Sequence, residues 1–242
     1  MQSGLYVTLS AQVALERRLT TVAANVANQS TPGYKAEGID FNTLVSRSGG
    51  VPVSYVSPGN TYISRQPGIA TKTDNPLDVA IQGDGWLALR APSGATIYTR
   101  DGRMQMQPDG GLQSINGYPV LDAGNSPIAL DPLGGRATIA RDGMITQDGR
   151  QIGAIGLFRL DHLANLTRFD NSGVVSSKPA TPVLDFTTDG VAQGYVEGAN
   201  VNPMLEMAKL IMVSRNFETV STAVESSEAS LKDAIRILGG AA

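Results

Sequence analysis

The chain contains no cysteine, a single histidine and a single tryptophan among its 242 residues. Without thiols there is no disulfide framework, no thiolate nucleophile, no iron–sulfur ligand set and no cysteine-based zinc site. One histidine removes every multi-histidine metal centre as well, so no cofactor is expected. The missing cysteines also leave the redox compartment open. Charged residues make up 17% and aromatics 5%, against ~25% charge in an average soluble domain, so part of the surface is expected to be covered by a partner. A net charge of −3 argues against a basic face for phosphate backbones, and no nucleic-acid partner is expected. No apolar run approaches the ~18 residues of a membrane span, so no membrane insertion is expected. Nothing basic precedes Arg17, and Gln2, Ser3, Thr8, Ser10 and Gln12 interrupt the first apolar stretch, so a cleavable signal peptide is not expected.

What the chain does have is periodicity at its ends. Residues 4–28 read as one amphipathic helix: Leu5, Gln12, Leu19 and Val26 recur every seventh residue, with Thr8, Leu15 and Val22 at the partner positions. Ser30-Thr31-Pro32-Gly33 should stop it. Behind Asn202-Pro203, Leu210, Phe217, Val224, Leu231 and Leu238 repeat the seven-residue spacing, and Gly239-Gly240 closes the run. Two narrow apolar seams need partners. Either the helices pair within one chain, or the seams also bury against other subunits.

The middle is rich in strands and turns. Leu77, Val79 and Ile81 alternate before Gly83-Asp84-Gly85, and Trp86-Leu87-Ala88-Leu89 forms a short apolar run. Asp101-Gly102, Asn116-Gly117, Asp142-Gly143, Asp148-Gly149 and Asp189-Gly190 suit positive-φ hairpin turns, predicting an antiparallel meander or small barrel. Residues 152–160 form the most apolar strand, expected at the centre. Residues 29–75, with Pro32, Pro52, Pro58 and Pro67 and β-like pieces at 51–56 and 61–64, predict an extended arm. The expected class is therefore α+β: long terminal helices (1–28 and 191–242) forming a coiled-coil-like assembly core, an arm (29–75) and a β-rich domain (76–190).

Catalytic chemistry finds little support. His162, at the end of the apolar strand, would need a nucleophile and an orienting group. Most aspartates precede glycine, where turn geometry accounts for them, and none sits in a spaced calcium loop. Gly83-Asp84-Gly85 lacks the Gly-Lys-Ser/Thr of a phosphate loop. The chain is expected not to be an enzyme.

The ends then become recognisable. Ala24-Asn25-Val26-Ala27-Asn28 followed by Thr31-Pro32-Gly33-Tyr34-Lys35 resembles the Asn-x-x-Asn and Thr-Pro-Gly-Phe/Tyr-Lys/Arg pattern of the bacterial flagellar rod and hook family. Gly194-Tyr195-Val196-Glu197 running into Asn200-Val201-Asn202-Pro203 and Glu206-Met207 resembles the entry to that family's C-terminal helix. Asn75-Pro76-Leu77-Asp78-Val79, Gly83-Asp84-Gly85-Trp86 and Tyr98-Thr99-Arg100-Asp101-Gly102 resemble the start of its β domain. The short length, Gly85-Trp86 and Arg215-Asn216-Phe217-Glu218 look most like the proximal-rod branch, with the distal-rod branch as the alternative. A secreted β-rich binding module is a further alternative.

The resemblance implies a structural subunit of the basal-body rod, part of the drive shaft and export channel where it crosses the periplasm. It implies partners among other copies and other rod proteins, and delivery by the flagellar type III export apparatus. Helical assembly through the terminal helices would make Leu5, Leu15, Leu19 and Val22, with Leu210, Phe217, Val224 and Leu231, the interface residues. Each is equally open to a role in intramolecular packing.

Overall fold

The computed structural model describes residues 2–46, 53–57 and 59–239, with side chains at all of these except 2–5, 231 and 238. The chain is α+β and divides into two units, each built from separated stretches.

Unit 1 gathers both ends of the chain together with Glu37–Tyr62. Helix α1 (Gln2–Ala27) has no proline, and alanines at 11, 14, 23, 24 and 27 favour it intrinsically. Four short strands follow: β1 (Glu37–Asp40), β2 (Thr43–Ser46), β3 (Val53–Val56) and β4 (Asn60–Ile63). β1 pairs with β4, and β2 pairs with β3 as an antiparallel hairpin running from Thr43 opposite Val56 to Ser46 opposite Val53. Of the β-like piece expected at 51–56, residues 51 and 52 lie outside the described residues. Helix α2 (Pro203–Gly239) spans 37 residues, roughly 55 Å at ~1.5 Å per residue. Its start is well made. Asn202 Oδ1 accepts the Leu205 N–H at 3.1 Å, Pro203 occupies the first-turn position that needs no donor, and Glu206 sits in the positive end of the helix dipole.

Within unit 1, α1 packs against α2, β1 and β3. This corrects the expectation of a coiled-coil-like core with a single meander or small barrel between its arms; only the α+β class holds. The buried face of α1 is Ala14, Thr21, Val22 and Asn25, a 3.6-residue stripe that shares only Val22 with the heptad seam. On α2 the large apolar residues are spread around the helix. Met204, Leu205, Met207, Ile211, Met212, Ile235 and Ile237 are exposed, and Val213 is buried. Heptad spacing records a repeat distance, and here α1 packs on β1 and β3 as well as on α2.

Unit 2 (28–36 and 63–201) carries the remaining strands. In chain order these are β5 (Ala70–Lys72), β6 (Val79–Gln82), β7 (Gly85–Arg90), β8 (Thr96–Thr99) and β9 (Met104–Met106). Then come β10 (Leu112–Ser114), β11 (Thr138–Ile139), β12 (Met144–Gln147), β13 (Arg150–Ala154) and β14 (Leu157–Arg159). The last are β15 (Leu166–Phe169), β16 (Gly173–Ser176), β17 (Thr181–Pro182), β18 (Gly190–Gln193) and β19 (Tyr195–Glu197). One six-stranded sheet, ordered β15-β16-β8-β7-β14-β17, is accompanied by β11-β12-β13 and the pairs β9-β10, β6-β18 and β5-β19.

The run Trp86–Leu89 is continuous rather than alternating because both faces of β7 are covered. Leu87 and Leu89 enter the main core with Val79, Leu112, Ile145 and Leu157, while Trp86 packs on Leu160 and Val174. The apolar stretch 152–160 is not one strand. It breaks between β13 and β14 at Gly156, where a Cβ would lie 2.5 Å from the Asp122 carbonyl carbon. Asp148-Gly149 makes the two-residue hairpin expected of it, both residues at positive φ between paired Gln147 and Arg150. Asp189 does something else: it is buried and accepts the Asp84 N–H at 2.8 Å. Leu87→Ala, at a position with no solvent exposure, is expected to lower stability by about 2–5 kcal/mol in urea unfolding of the full chain.

Candidate functional site

Two buried polar nodes, one in each unit, gather the sequence blocks that carried the resemblance. In unit 2, Lys35, Glu197 and Arg100 form a charge triad with almost no solvent exposure. The Lys35 ammonium donates to Glu197 Oε1 and, at 2.7 Å, to the Gln66 carbonyl. Glu197 Oε1 also accepts the Gly68 N–H at 2.8 Å, and Oε2 lies 3.0 Å from Arg100 Nε. Arg100 donates its two terminal nitrogens to the carbonyls of Gly85 and Gly83, and its guanidinium sits 5.9 Å from the Trp86 ring centroid.

The local sequence explains how each charge is aimed. Gly33 takes φ +68°, and a Cβ there would lie 2.1 Å from the Asp101 nitrogen, so Thr31-Pro32-Gly33 must end in glycine for the chain to pass against the Arg100-Asp101 turn. The Gly33 N–H then bonds the Glu197 carbonyl at 2.8 Å, which sets Lys35 beside the Glu197 side chain. Tyr34 is held under the Arg168 guanidinium, 4.4 Å above its ring, while Arg168 donates to the Lys35 carbonyl. Asn200 Oδ1 accepts the Ala36 N–H at 2.6 Å, and its amide nitrogen donates to Ser64 Oγ and the Gln66 carbonyl. Burial pushes the Lys35 ammonium below the ordinary lysine range; Glu197 pulls the other way, and Arg100 adds to the lowering. Burial also lowers Arg100, opposed first by Glu197 and then by Asp84 and Asp189.

In unit 1, Asn25 of α1 grips the Glu37 backbone from both sides. Its amide nitrogen donates to the Glu37 carbonyl and its oxygen accepts the Glu37 N–H, each at 2.8 Å, as a paired strand would. The same amide donates to Glu206 Oε2 at 3.2 Å, and Glu206 Oε1 receives Lys209 at 2.7 Å. The first asparagine of the Asn-x-x-Asn pattern therefore ties α1, β1 and the first turn of α2 together.

Of the residues expected at an assembly interface, Val22 is buried and Leu15, Leu19, Leu210, Phe217 and Val224 are half-buried within unit 1. The side chains of Leu5 and Leu231 lie outside the described residues. His162 is exposed in the turn after β14. Among the described residues no group of three His, Cys, Asp or Glu side chains is placed to hold a metal ion, and no helix is long and apolar enough to cross a membrane. Lys35, Arg100, Glu197, Asn25 and Glu206 were present in the quoted motifs, but no sequence signal paired them. Their side-chain partners within this set lie 97 to 181 residues away, and only a polar residue inside an otherwise structural motif could have marked them.

Both nodes commit their charges to one another and to main-chain groups, which defines a structural framework. Three family models match in chain order: a flagella basal body rod protein model over residues 5–35, the flagellar hook protein FlgE/F/G D1 domain over 80–147, and the flagellar basal body rod FlgEFG protein C-terminal model over 192–237. Each matched region contributes one member of the triad: Lys35, Arg100 and Glu197. The flagellar basal-body rod protein FlgF of Mesorhizobium japonicum is 48% identical over 239 residues, 99% of both chains. That of Rhizobium meliloti is 44% identical over 240 residues, again 99% of each. A FlgG rod protein, from Agrobacterium fabrum, is 30% identical over 244 residues, 89% of this chain and 91% of its own. The chain belongs to the flagellar basal-body rod protein family, and within it is most like FlgF.

Removing Glu197 strands two buried cations, whereas removing Lys35 leaves Glu197 with Arg100 and the Gly68 N–H. Glu197→Gln is therefore expected to cost roughly 3–5 kcal/mol in urea unfolding, and Lys35→Met distinctly less. Lys35 binds its proton less tightly in the folded chain than in the unfolded one, so its contribution to stability rises with pH between its lowered value and that of free lysine. The stability difference between the parent and Lys35→Met should accordingly move in the parent's favour as pH rises toward the titration of free lysine.

Proposed function

We propose that the chain is a structural, non-enzymatic subunit of the proximal rod that joins other copies and other rod proteins through its terminal-helix unit. The observation that carries this is the distribution of apolar surface on the two helices. Tyr6, Leu9 and Val13 on α1 are exposed, as are Met204, Leu205, Met207, Ile211, Met212, Ile235 and Ile237 on α2. A monomer leaving so many large apolar side chains in water has surface suited to burial against a partner. Subunits related by a rotation and a rise meet through unlike faces, and such contacts continue without closing. Leu15, Leu19, Val22, Leu210, Phe217 and Val224, with Leu5 and Leu231, belong to this proposed assembly region, the half-buried ones having area left to contribute. The reading includes export through the flagellar type III apparatus to a rod crossing the periplasm. Membership of the family supports it.

Ile211 is 53% exposed, so the monomer has little use for its side chain. Ile211→Asp is expected to change monomer stability by no more than about 0.5 kcal/mol while removing the chain from purified basal bodies and abolishing motility. Normal swimming with the variant present in basal bodies would overturn the proposal. Phe217→Asp should likewise block incorporation while the thermal transition of unit 2 is retained.

A further inference from the structure

Unit 2 is completed by its last dozen residues. β18 adds to β6 from Gly190 opposite Gln82 to Gln193 opposite Val79, and β19 adds to β5. Val191 enters the main core. Gln193 Nε2 bridges the Pro76 and Ala137 carbonyls at 2.8 and 2.9 Å. Four residues later comes the carboxylate of the triad.

Before that segment docks, the rest of the unit holds an unbalanced pair of cations. Arg100 has the Gly83 and Gly85 carbonyls and the more distant Asp84 and Asp189. Lys35 has the Gln66 carbonyl, and the carboxylate that acts on it is Glu197. Burying an ammonium next to a guanidinium with no carboxylate in contact with either costs more than the carbonyl hydrogen bonds return. The same site with Glu197 in place has two opposite charges in direct contact and a third donor from Gly68.

We propose that Glu197 is a charge latch: residues 28–36 and 63–189 of unit 2 do not reach their closed native state until 190–201 docks and supplies the carboxylate that lets Lys35 and Arg100 leave water. A chain made or delivered from its N-terminus therefore keeps unit 2 open until almost all of it has arrived, the trigger being one side chain near the end of the unit. The inference stands on the geometry of unit 2 and does not depend on the proposed assembly role.

Because the chain has no cysteine, a single introduced thiol is an unambiguous probe. In the full-length chain, Ala88→Cys reports on the middle of the six-stranded sheet and Val196→Cys on the closing segment, both positions being buried. During refolding from urea with pulsed maleimide labelling, the two thiols are expected to gain protection with the same rate constant. Protection at position 88 arising about tenfold or more ahead of position 196 would overturn the latch. At equilibrium, Glu197→Gln should raise the labelling rate at position 88 by about a hundredfold or more. Adding Lys35→Met to Glu197→Gln removes one of the two stranded cations and should lower that rate again by about tenfold or more. An unchanged rate in the Glu197→Gln chain would mean that unit 2 closes without the carboxylate. No recovery in the double variant would mean that the carboxylate does not act through the charge of Lys35. Either result sinks the proposal.

Discussion

A carboxylate between a lysine and an arginine, all three out of water, is tolerated only if its geometry and its neighbours leave little unsatisfied. Glu197 Oε1 meets that condition with two donors, Lys35 and the Gly68 N–H, while Oε2 faces Arg100 Nε at 3.0 Å as an ion pair without an aligned hydrogen bond. Lys35 arrives from the turn after the first helix, Arg100 from the turn after β8, and the Gly68 N–H from the segment before β5. The Gly33 N–H fixes the Glu197 backbone itself. The glycines of the surrounding motifs are explained by this crowding: Gly33 lies against Asp101, and a Cβ on Gly68 would meet the Gly198 carbonyl oxygen at 2.0 Å. The charge cluster and the close backbone approaches are thus one constraint. Neither can be relaxed without disturbing the other.

Unit 1 solves a different problem. Its centre is an asparagine rather than an ion pair, and its helices present more apolar surface than the unit covers. Asn25 imitates a strand partner to Glu37, so α1 and β1 are joined by two hydrogen bonds of main-chain quality without a ladder. That arrangement gives register to short elements which propensity and burial alone would leave weakly specified. Large apolar side chains such as Leu9 of α1 and Ile211 of α2 stay exposed in the monomer, the surface on which the proposed assembly rests.

The two units also differ in how their burial is achieved. Unit 2 has a closed core in which β7 is covered on both faces, and its charges point inward to one another. Unit 1 keeps a narrow buried stripe of Ala14, Thr21, Val22 and Asn25 on a helix whose other faces are partly apolar. A single chain thereby carries one part stabilised by its own interior and another whose apolar surface exceeds its internal needs.

The helix positions, the tight turn at Asp148-Gly149, the short apolar strand at Trp86–Leu89 and the family were legible in the amino-acid order, because each is written in local spacing or in a contiguous motif. It misled where a repeat distance stood in for a partner. The heptads of Leu210 and Phe217 are present and α1 does pack on α2, but α1 buries a stripe that shares only Val22 with its seam and also packs on β1 and β3. It also read Asp189-Gly190 as a hairpin turn, when Asp189 is a buried acceptor for Asp84. Tertiary structure alone decided the two polar nodes. Lys35 and Glu197 are 162 residues apart and Asn25 and Glu206 are 181 apart. Long-range pairing between single polar residues has no period and no local composition, and exists only once the intervening strands have brought the ends together.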